Sequence, residues 1–538
     1  MKAVYILPAL PAAAVLSGLI FIAAMRFGRL RWVALAWYTV SVPAAAFTAY
    51  RLWDHHVGPD VFTLWRFTIS PSNMSFLLLL AVTSPPLLWV KEGKGRGGSA
   101  ERASSALACF ALAAALAAVM SDHLFLLAGL FTLASWCMAG AVILRGRKAG
   151  RLLPFLFPLG LADLCLALGV LFFYLSDPTR GLFMPASPLE PVGRLSLSCA
   201  LMLAAALLRL GSIPTQRWMA GIAEGGKDLR LLHVLVVDLV LGGFLLFTVS
   251  RILFAWDGVW VWVCLGLSAA TLAELSRELL QASRREEVWG LACAALGAGL
   301  ALISAPGGQA AAAAARLGLW AAVPALALVE MGSEAGNGRR WMKVAGGASL
   351  LGLPPLAGFA WLWMGYQVLA GEFAGGVTVV FLAAIPLFIA GALIVGGTVL
   401  LLPHGGGEEA SPIITAVAGV LLAALCLAVG LYPGTLVDLL MREYGLPVDI
   451  PFSSWTALGW AIMLCIAIAV VLLSAWSRKG DTSARGMAKR ARALPIVAGK
   501  RRFAIAWLES RRTRAVCALG DLLLYMGLVG VMVFLATK

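Results

Sequence analysis

The chain has 538 residues, of which 61% are hydrophobic and only 13% charged, with a mean hydropathy of +0.90. Soluble proteins are roughly half apolar and about a quarter charged, which excludes a soluble domain; apolar runs of about 20 residues recur from end to end, each long enough to cross a bilayer as a helix. The formal net charge of +15 is then a topology signal before it is a sign of nucleic-acid binding, because cations gather on the cytoplasmic side of membrane proteins.

In chain order the predicted spans lie near 3–25, 30–50, 74–91, 105–121, 123–143, 152–175, 193–210, 230–253, 256–281, 288–304, 310–331, 343–369, 375–402, 412–434, 455–476 and 515–536. The expectation is an all-α polytopic membrane protein of about 16 transmembrane helices. A β-barrel would show segments of about ten residues with alternating polarity, whereas these runs are continuous. The first span has no small-residue cleavage site behind a short apolar core and is followed at once by another, so it reads as retained. Six units are expected: 1–104 with three spans, 105–253 and 254–404 with five each, 405–477 with two, a basic segment over 478–514, and a last span in 515–538.

Loops after odd-numbered spans carry Arg26, Arg29 and Arg31, then Lys91, Lys94, Arg96 and Arg102, then Arg145, Arg147, Lys148 and Arg151, then Arg284 and Arg285, then Arg339, Arg340 and Lys343. Loops after even-numbered spans hold isolated cations such as Arg51, Arg66 and Arg180. The positive-inside rule makes the first group cytoplasmic and puts both termini on the other side. Between the last two predicted spans, the stretch holding Lys489, Arg490, Arg501 and Arg502 also carries Phe503, Ile505, Trp507 and Leu508. It reads either as a linker near anionic headgroups or as a helix lying along the membrane, interrupted at Pro495.

Nine cysteines fall one to an apolar run, without a CxxC pair, and His55, His56, His123, His233 and His404 are scattered. This argues against a zinc or iron–sulfur site, and no cofactor is expected in this chain. Lys94 to Ser99 reads KGRGGS, which lacks the order of a phosphate-binding loop and reads as a solvated connector.

Two segments break their spans in a patterned way: Arg209 to Trp218 reads RLGSIPTQRW and Gly352 to Phe359 reads GLPPLAGF. Pro214, Pro354, Pro355 and Gly358 mark the breaks, and proline at depth frees backbone carbonyls and makes helices discontinuous. The breaks sit in spans seven and twelve. Five is an odd number of spans, so a five-span unit repeated once inserts upside down, giving two inverted halves.

These motifs resemble the antiporter-like proton-channel subunits of respiratory complex I, of group 4 membrane-bound hydrogenases and of multisubunit Na+/H+ antiporters. GLPPLAGF is similar to that family's span-twelve signature, RLGSIPTQRW to its KSAQxPxxxW stretch in span seven, Gly160 to Asp163 to its GD near the start of span six, and GLYPG at 430–434 to its exit from span fourteen. His233 falls where the family often has a histidine in span eight. The resemblance covers roughly residues 70–435, and the basic link before a last span points to the branch with a lateral helix. It implies a bacterial or archaeal cytoplasmic membrane, a hetero-oligomeric complex with other membrane subunits, lipid contact and, indirectly, peripheral redox subunits. Nucleic acid is not an expected partner.

Family members are thought to move protons along a buried polar axis using a glutamate in span five, lysines in spans seven and eight, and a lysine or glutamate in span twelve. Buried lysine suits this because desolvation makes its proton labile. In this sequence the span-seven position is Arg209, which does not deprotonate in proteins. No acidic residue occurs between His123 and Ala162, so the span-five position falls in the Leu130 to Thr132 neighbourhood; Pro324 and Leu362 stand where span eleven and span twelve would carry lysines. The ionisable residues left in the membrane include Asp163, Arg209, His233, Asp238, Glu274, Arg277, Glu278, Arg316 and Glu330. Asp163, Arg209, His233, Asp238 and Glu274 are the proton-path candidates, with an Arg–Asp clamp and a relay through His233 both open. Arg277, Glu274, Glu278 and Glu330 also read as solvated or paired near helix ends.

The resemblance therefore implies a membrane-arm subunit of a redox-driven ion-translocating complex, with a degenerate proton path and a largely structural role. A working proton or cation channel with a rearranged relay, and a membrane partner that energises inorganic-carbon uptake, are the alternatives. No nucleophile–base pair, metal cluster or cofactor motif points to catalysis by this chain.

Overall fold

The computed structural model describes residues 8–55, 62–64, 67–69, 71–93, 98–144, 153–185, 187–213, 215–216, 218–219, 231–256, 258–282, 285–306, 309–334, 340–371, 388–389, 391–392, 394–400, 412–433 and 436. Spans fifteen and sixteen, the basic segment 478–514 and most of span thirteen fall outside the described residues.

The helices are α1 (Ala9–Ala24), α2 (Leu30–His55), α3 (Pro71–Gly93), α4 (Ser99–Val119), α5 (Leu124–Ile143), α6 (Leu153–Ser176) and α7 (Arg194–Arg209). Helix α8 is continuous but mixed, with i→i+5 bonding over Leu231–Val240, α over Leu241–Phe247 and i→i+5 again over Thr248–Leu253. Then follow α9 (Gly258–Gln281), α10 (Arg285–Ser304), α11 (Gln309–Glu334), α12 (Arg340–Leu350), α13 (Ala357–Gly371) and α14 (Pro412–Leu431). Among the described residues eight helices, α2 to α6 and α9 to α11, are long and apolar enough to cross a membrane. The predicted span twelve is two helices, α12 and α13. Among the described residues two short strands, β1 (Phe62–Leu64) and β2 (Phe67–Ile69), pair antiparallel.

Helices α3, α4, α10 and α11 are the buried centre, whereas α2, α5, α6 and α9 expose more than half of their apolar windows. The exposed side chains on these outer helices are large and greasy: Val40, Phe47, Phe125, Trp136, Phe157 and Leu164. An apolar outside is stable only where the surroundings are themselves apolar, or covered by protein. Polar atoms in the interior are spent between helices instead. Trp37 Nε1 donates to Ala13 O at 3.1 Å and Trp89 Nε1 to Thr39 Oγ1 at 2.7 Å, while Tyr38 and Ser84 share a 2.8 Å bond. Such bonds tie helices together where no water competes.

The loops after spans two, four, six and eight are sewn to one another. Thr68 N donates to Met120 O (2.7 Å), Leu124 N to Leu182 O (2.8 Å), Met184 N to Asp122 O (2.9 Å) and Ala255 N to Leu189 O (2.8 Å). His123 N-caps α5 by accepting from Leu126 N and packs edge-on against Phe183. These four connections therefore share one face of the bundle. On the opposite face Arg102 Nη1, at the start of α4, donates to Ala24 O at 2.8 Å at the end of α1.

Candidate functional site: a buried ion triad at a helix break

Helix α7 stops inside the bundle because of Gly211. At φ +76° this residue is left-handed, and its N–H donates to Leu208 O (3.2 Å) while Ser212 N–H donates to Leu207 O (2.9 Å). Together these form the Schellman termination, which satisfies carbonyls that helix ending leaves open. Trp218 Nε1 takes Leu208 O as well, at 3.1 Å, and Thr271 Oγ1 on α9 accepts from Ile213 N at 3.1 Å. Gly211→Ala is expected to cost about 1–2 kcal/mol from the left-handed backbone alone. The new Cβ would also meet Ala294 Cβ at 2.9 Å, so thermal melting in detergent should show at least that loss.

The last helical residue before this cap is Arg209. Its guanidinium is 1% exposed and lies between two carboxylates: Nη1 donates to Asp238 Oδ1 at 3.2 Å, and Nη2 donates to Asp163 Oδ1. Asp163 comes from the middle of α6 and Asp238 from α8; they are 9% and 0% exposed. Below the guanidinium, Phe131 on α5 has its ring centroid 5.7 Å from the Arg209 Cζ, a cation–π distance. The α7 C-terminus also carries partial negative charge that a cation offsets. Three helices are thereby joined to the broken end of a fourth. Chemically this arrangement holds a permanent positive charge between two carboxylates; among the described residues Asp163 Oδ2 accepts no hydrogen bond.

The second break repeats the first. Gly352, at φ +73°, donates to Ser349 O (2.9 Å) and Leu353 N donates to Ala348 O (3.0 Å), the same paired termination. Pro354 and Pro355 follow, joined by a cis peptide, and Gly358 N approaches Ser349 Oγ at 3.3 Å. Here the last helical residue before the cap is Leu350, so an aliphatic side chain stands where α7 has its arginine. Helix α7 leaves the sewn face and breaks in the interior, whereas α12 sets out from the other face. The two broken helices run in opposite senses.

Of the other sequence candidates, His233 lies five residues before Asp238 on the same i→i+5 segment. Pro214 falls outside the described residues. Glu274 is not brought to the triad: it pairs with Arg277 on α9, with side chains 31% and 57% exposed. Glu278 and Glu330, read as solvated or paired near helix ends, are 8% and 2% exposed. Lys343 corrects the sequence reading: counted with the basic loop before span twelve, it is 2% exposed, because it sits one turn inside α12 and not ahead of it. Arg316 is equally buried, its Cζ 4.7 Å from the Phe247 ring centroid. Phe131 was reachable from the sequence only as part of a three-residue neighbourhood, since an apolar residue in an apolar run carries no signal of its own. Among the described residues no group of His, Cys, Asp and Glu is arranged to hold a metal ion.

No protein-family model matches this sequence, and no curated protein matches it. Solved structures do match. A chain from the Mrp complex of Dietzia sp. DQ12-45-1b superposes with a TM-score of 0.73 at 18% identity, covering 99% of this chain and 63% of that one, so this chain spans under two thirds of that partner's length. A chain of the membrane-bound sulfane sulfur reductase, an archaeal respiratory membrane complex, gives 0.69 at 15% identity over 87% and 84% of the two chains. A chain of Thermus thermophilus respiratory complex I with bound aureothin gives 0.61 at 18% identity over 79% and 98%. At these identities the likeness concerns the fold: this is a multi-pass helical membrane protein built like chains of an Mrp complex, an archaeal respiratory membrane complex and a respiratory complex I.

Proposed function

We propose that the chain is a membrane-arm subunit of a multisubunit, redox-driven ion-translocating complex, in which the first-half proton relay has become a structural clamp. The observation that carries this reading is Arg209 fixed between Asp163 and Asp238. A relay needs a group that gives up its proton when a neighbouring charge changes; guanidinium keeps its proton. Two further features agree with loss of the relay. Phe131 lies against the arginine in the neighbourhood where the resembled family carries its span-five glutamate, and Leu362 stands on α13 at the position that matches the resembled family's span-twelve lysine. The frame for ion movement is kept: two helices broken by the same motif and running in opposite senses, as an inverted pair of five-span halves requires. Complexes such as those named above supply the partner class: neighbouring membrane subunits on the greasy flanks and redox subunits on the arginine-rich, cytoplasmic side.

The test uses the complex purified with its partners and reconstituted in liposomes. Asp238→Asn leaves a balanced Arg209–Asp163 pair, so assembly should survive. His233→Gln leaves Asp163, Arg209 and Asp238 themselves unchanged. Both variants are expected to translocate protons at the wild-type ratio to electrons. Loss of translocation in either, with the complex assembled, overturns the clamp reading in favour of a working relay.

A further inference from the structure

The connection between α1 and α2, on the face opposite the sewn loops, is a basic corner. The end of α1, the start of α2 and the start of α4 hold four arginines, Arg26, Arg29, Arg31 and Arg102, against one carboxylate, Glu101. Arg102 is spent on the backbone: its Nη1 donates to Ala24 O at 2.8 Å and to Met25 O at 3.1 Å, closing the end of α1. Arg26 and Arg29 are exposed, and among the described residues no carboxylate pairs with them or with Arg31. Their neighbours are rings. The Arg26 Cζ lies 5.9 Å from the Phe27 centroid and the Arg31 Cζ 4.9 Å from that of Trp32.

Beyond this corner α2 presents one long apolar flank. Trp32, Val33, Trp37, Val40 and Phe47 are exposed along it, and the polar groups from Trp37 to Thr48 ask nothing of a partner. Trp37 turns its Nε1 inward to Ala13 O, and Thr39, Ser41 and Thr48 give their hydroxyl protons to the carbonyls four residues back, at 2.7, 2.6 and 2.6 Å. Such a surface suits acyl chains, which offer no hydrogen bonds. Helix–helix contacts in a membrane are built instead on small residues that let backbones approach, whereas this flank carries two indoles and a phenyl ring. At its far end the Arg51 Cζ lies 5.9 Å from the Phe47 centroid. Arg31 and Arg51 are separated by about 30 Å of helix, the thickness of a hydrocarbon core.

We propose that Arg26, Arg29 and Arg31 hold the phosphate of an acidic phospholipid whose acyl chains lie along the outward face of α2. Guanidinium meets phosphate oxygens with paired, planar N–H donors. Three of them favour an anionic headgroup over a zwitterionic one, which brings its own cation. Phe27 and Trp32 stand beside them, at the depth where aromatic rings settle at the membrane interface. This greasy flank is thereby assigned to lipid, so the neighbouring subunits belong on the others.

Photocrosslinking tests it. Benzoylphenylalanine is placed at Val33, which is 52% exposed beside Trp32, in the complex purified with its partners and reconstituted into vesicles of phosphatidylcholine with a few per cent of phosphatidylglycerol. The expected products are lipid adducts in which phosphatidylglycerol exceeds its share of the vesicle about fivefold, the preference that one surface cation supplies by itself. Arg26→Gln, Arg29→Gln and Arg31→Gln together should return it to that share. Crosslinking to another protein subunit shows an interface and overturns the proposal. So does phosphatidylglycerol at its vesicle share when the three arginines are intact, or an enrichment unchanged in the triple variant. Should the triple variant fail to accumulate, Arg29→Gln alone is read, and an enrichment that it does not lower overturns the proposal equally.

Discussion

Arg209→Met is expected to destabilise the folded chain by about 3–5 kcal/mol, because it leaves Asp163 and Asp238 buried without the cation between them. The loss is larger than the pair's own worth. Two ionised carboxylates in a low-dielectric interior repel each other and have lost their hydration, so a proton or a displaced helix has to relieve them. Replacing all three members together, as Asp163→Leu, Arg209→Met and Asp238→Leu, should recover most of the loss, since apolar groups of similar volume pack without a desolvation penalty. Equilibrium unfolding in detergent, or the midpoint of thermal precipitation, reads both variants. If the single variant loses under about 1 kcal/mol, the triad is hydrated and does not clamp α6, α7 and α8. Arg209→Lys separates charge from geometry: a single ammonium cannot span two carboxylates as the fork of guanidinium donors does, so a partial loss is expected.

Gly358→Ala should be nearly as damaging for a steric reason. A Cβ at this position would run into the backbone carbonyl of Ser349, on the far side of the break between α12 and α13. Backbone cannot rotate out of the way like the end of a side chain, so α13 has to shift relative to α12. Overpacking of this kind costs about 1–3 kcal/mol. The expected signature is a lowered unfolding midpoint. Wild-type stability in Gly358→Ala would mean that the close approach at the break is not maintained.

How much of this was legible follows from the kind of signal each feature leaves. Helices α2 to α6 and α9 to α11 lie within a few residues of the apolar runs that predict them, because bilayer thickness fixes their length. The break after Arg209 was visible as Gly and Pro inside an apolar run, and the arginine itself as a charge at depth. Asp163 and Asp238 were visible as charges too, but nothing in 46 and 29 residues of separation says that both reach one guanidinium. Lys343 reads as loop because it lies three residues after Arg340 at the edge of a basic cluster; one helical turn separates a solvated lysine from a buried one, a shift comparable to the uncertainty of a predicted helix start. The strand pair at 62–64 and 67–69 was missed because its strands are only three residues long, too short for alternation to show.

The sequence by itself determined that the chain lives in a membrane, where most of its helices begin and end, and that its two broken spans share one local grammar, since these depend on hydropathy and backbone preference within a few turns. Only the tertiary structure decided that Arg209 is clamped from two sides with Phe131 beneath it, that Glu274 stands apart, and that Trp37 turns its indole N–H inward. Those facts depend on helix rotation and packing between residues far apart in the chain, and a one-residue turn of a helix by about 100° exchanges an inward face for an outward one.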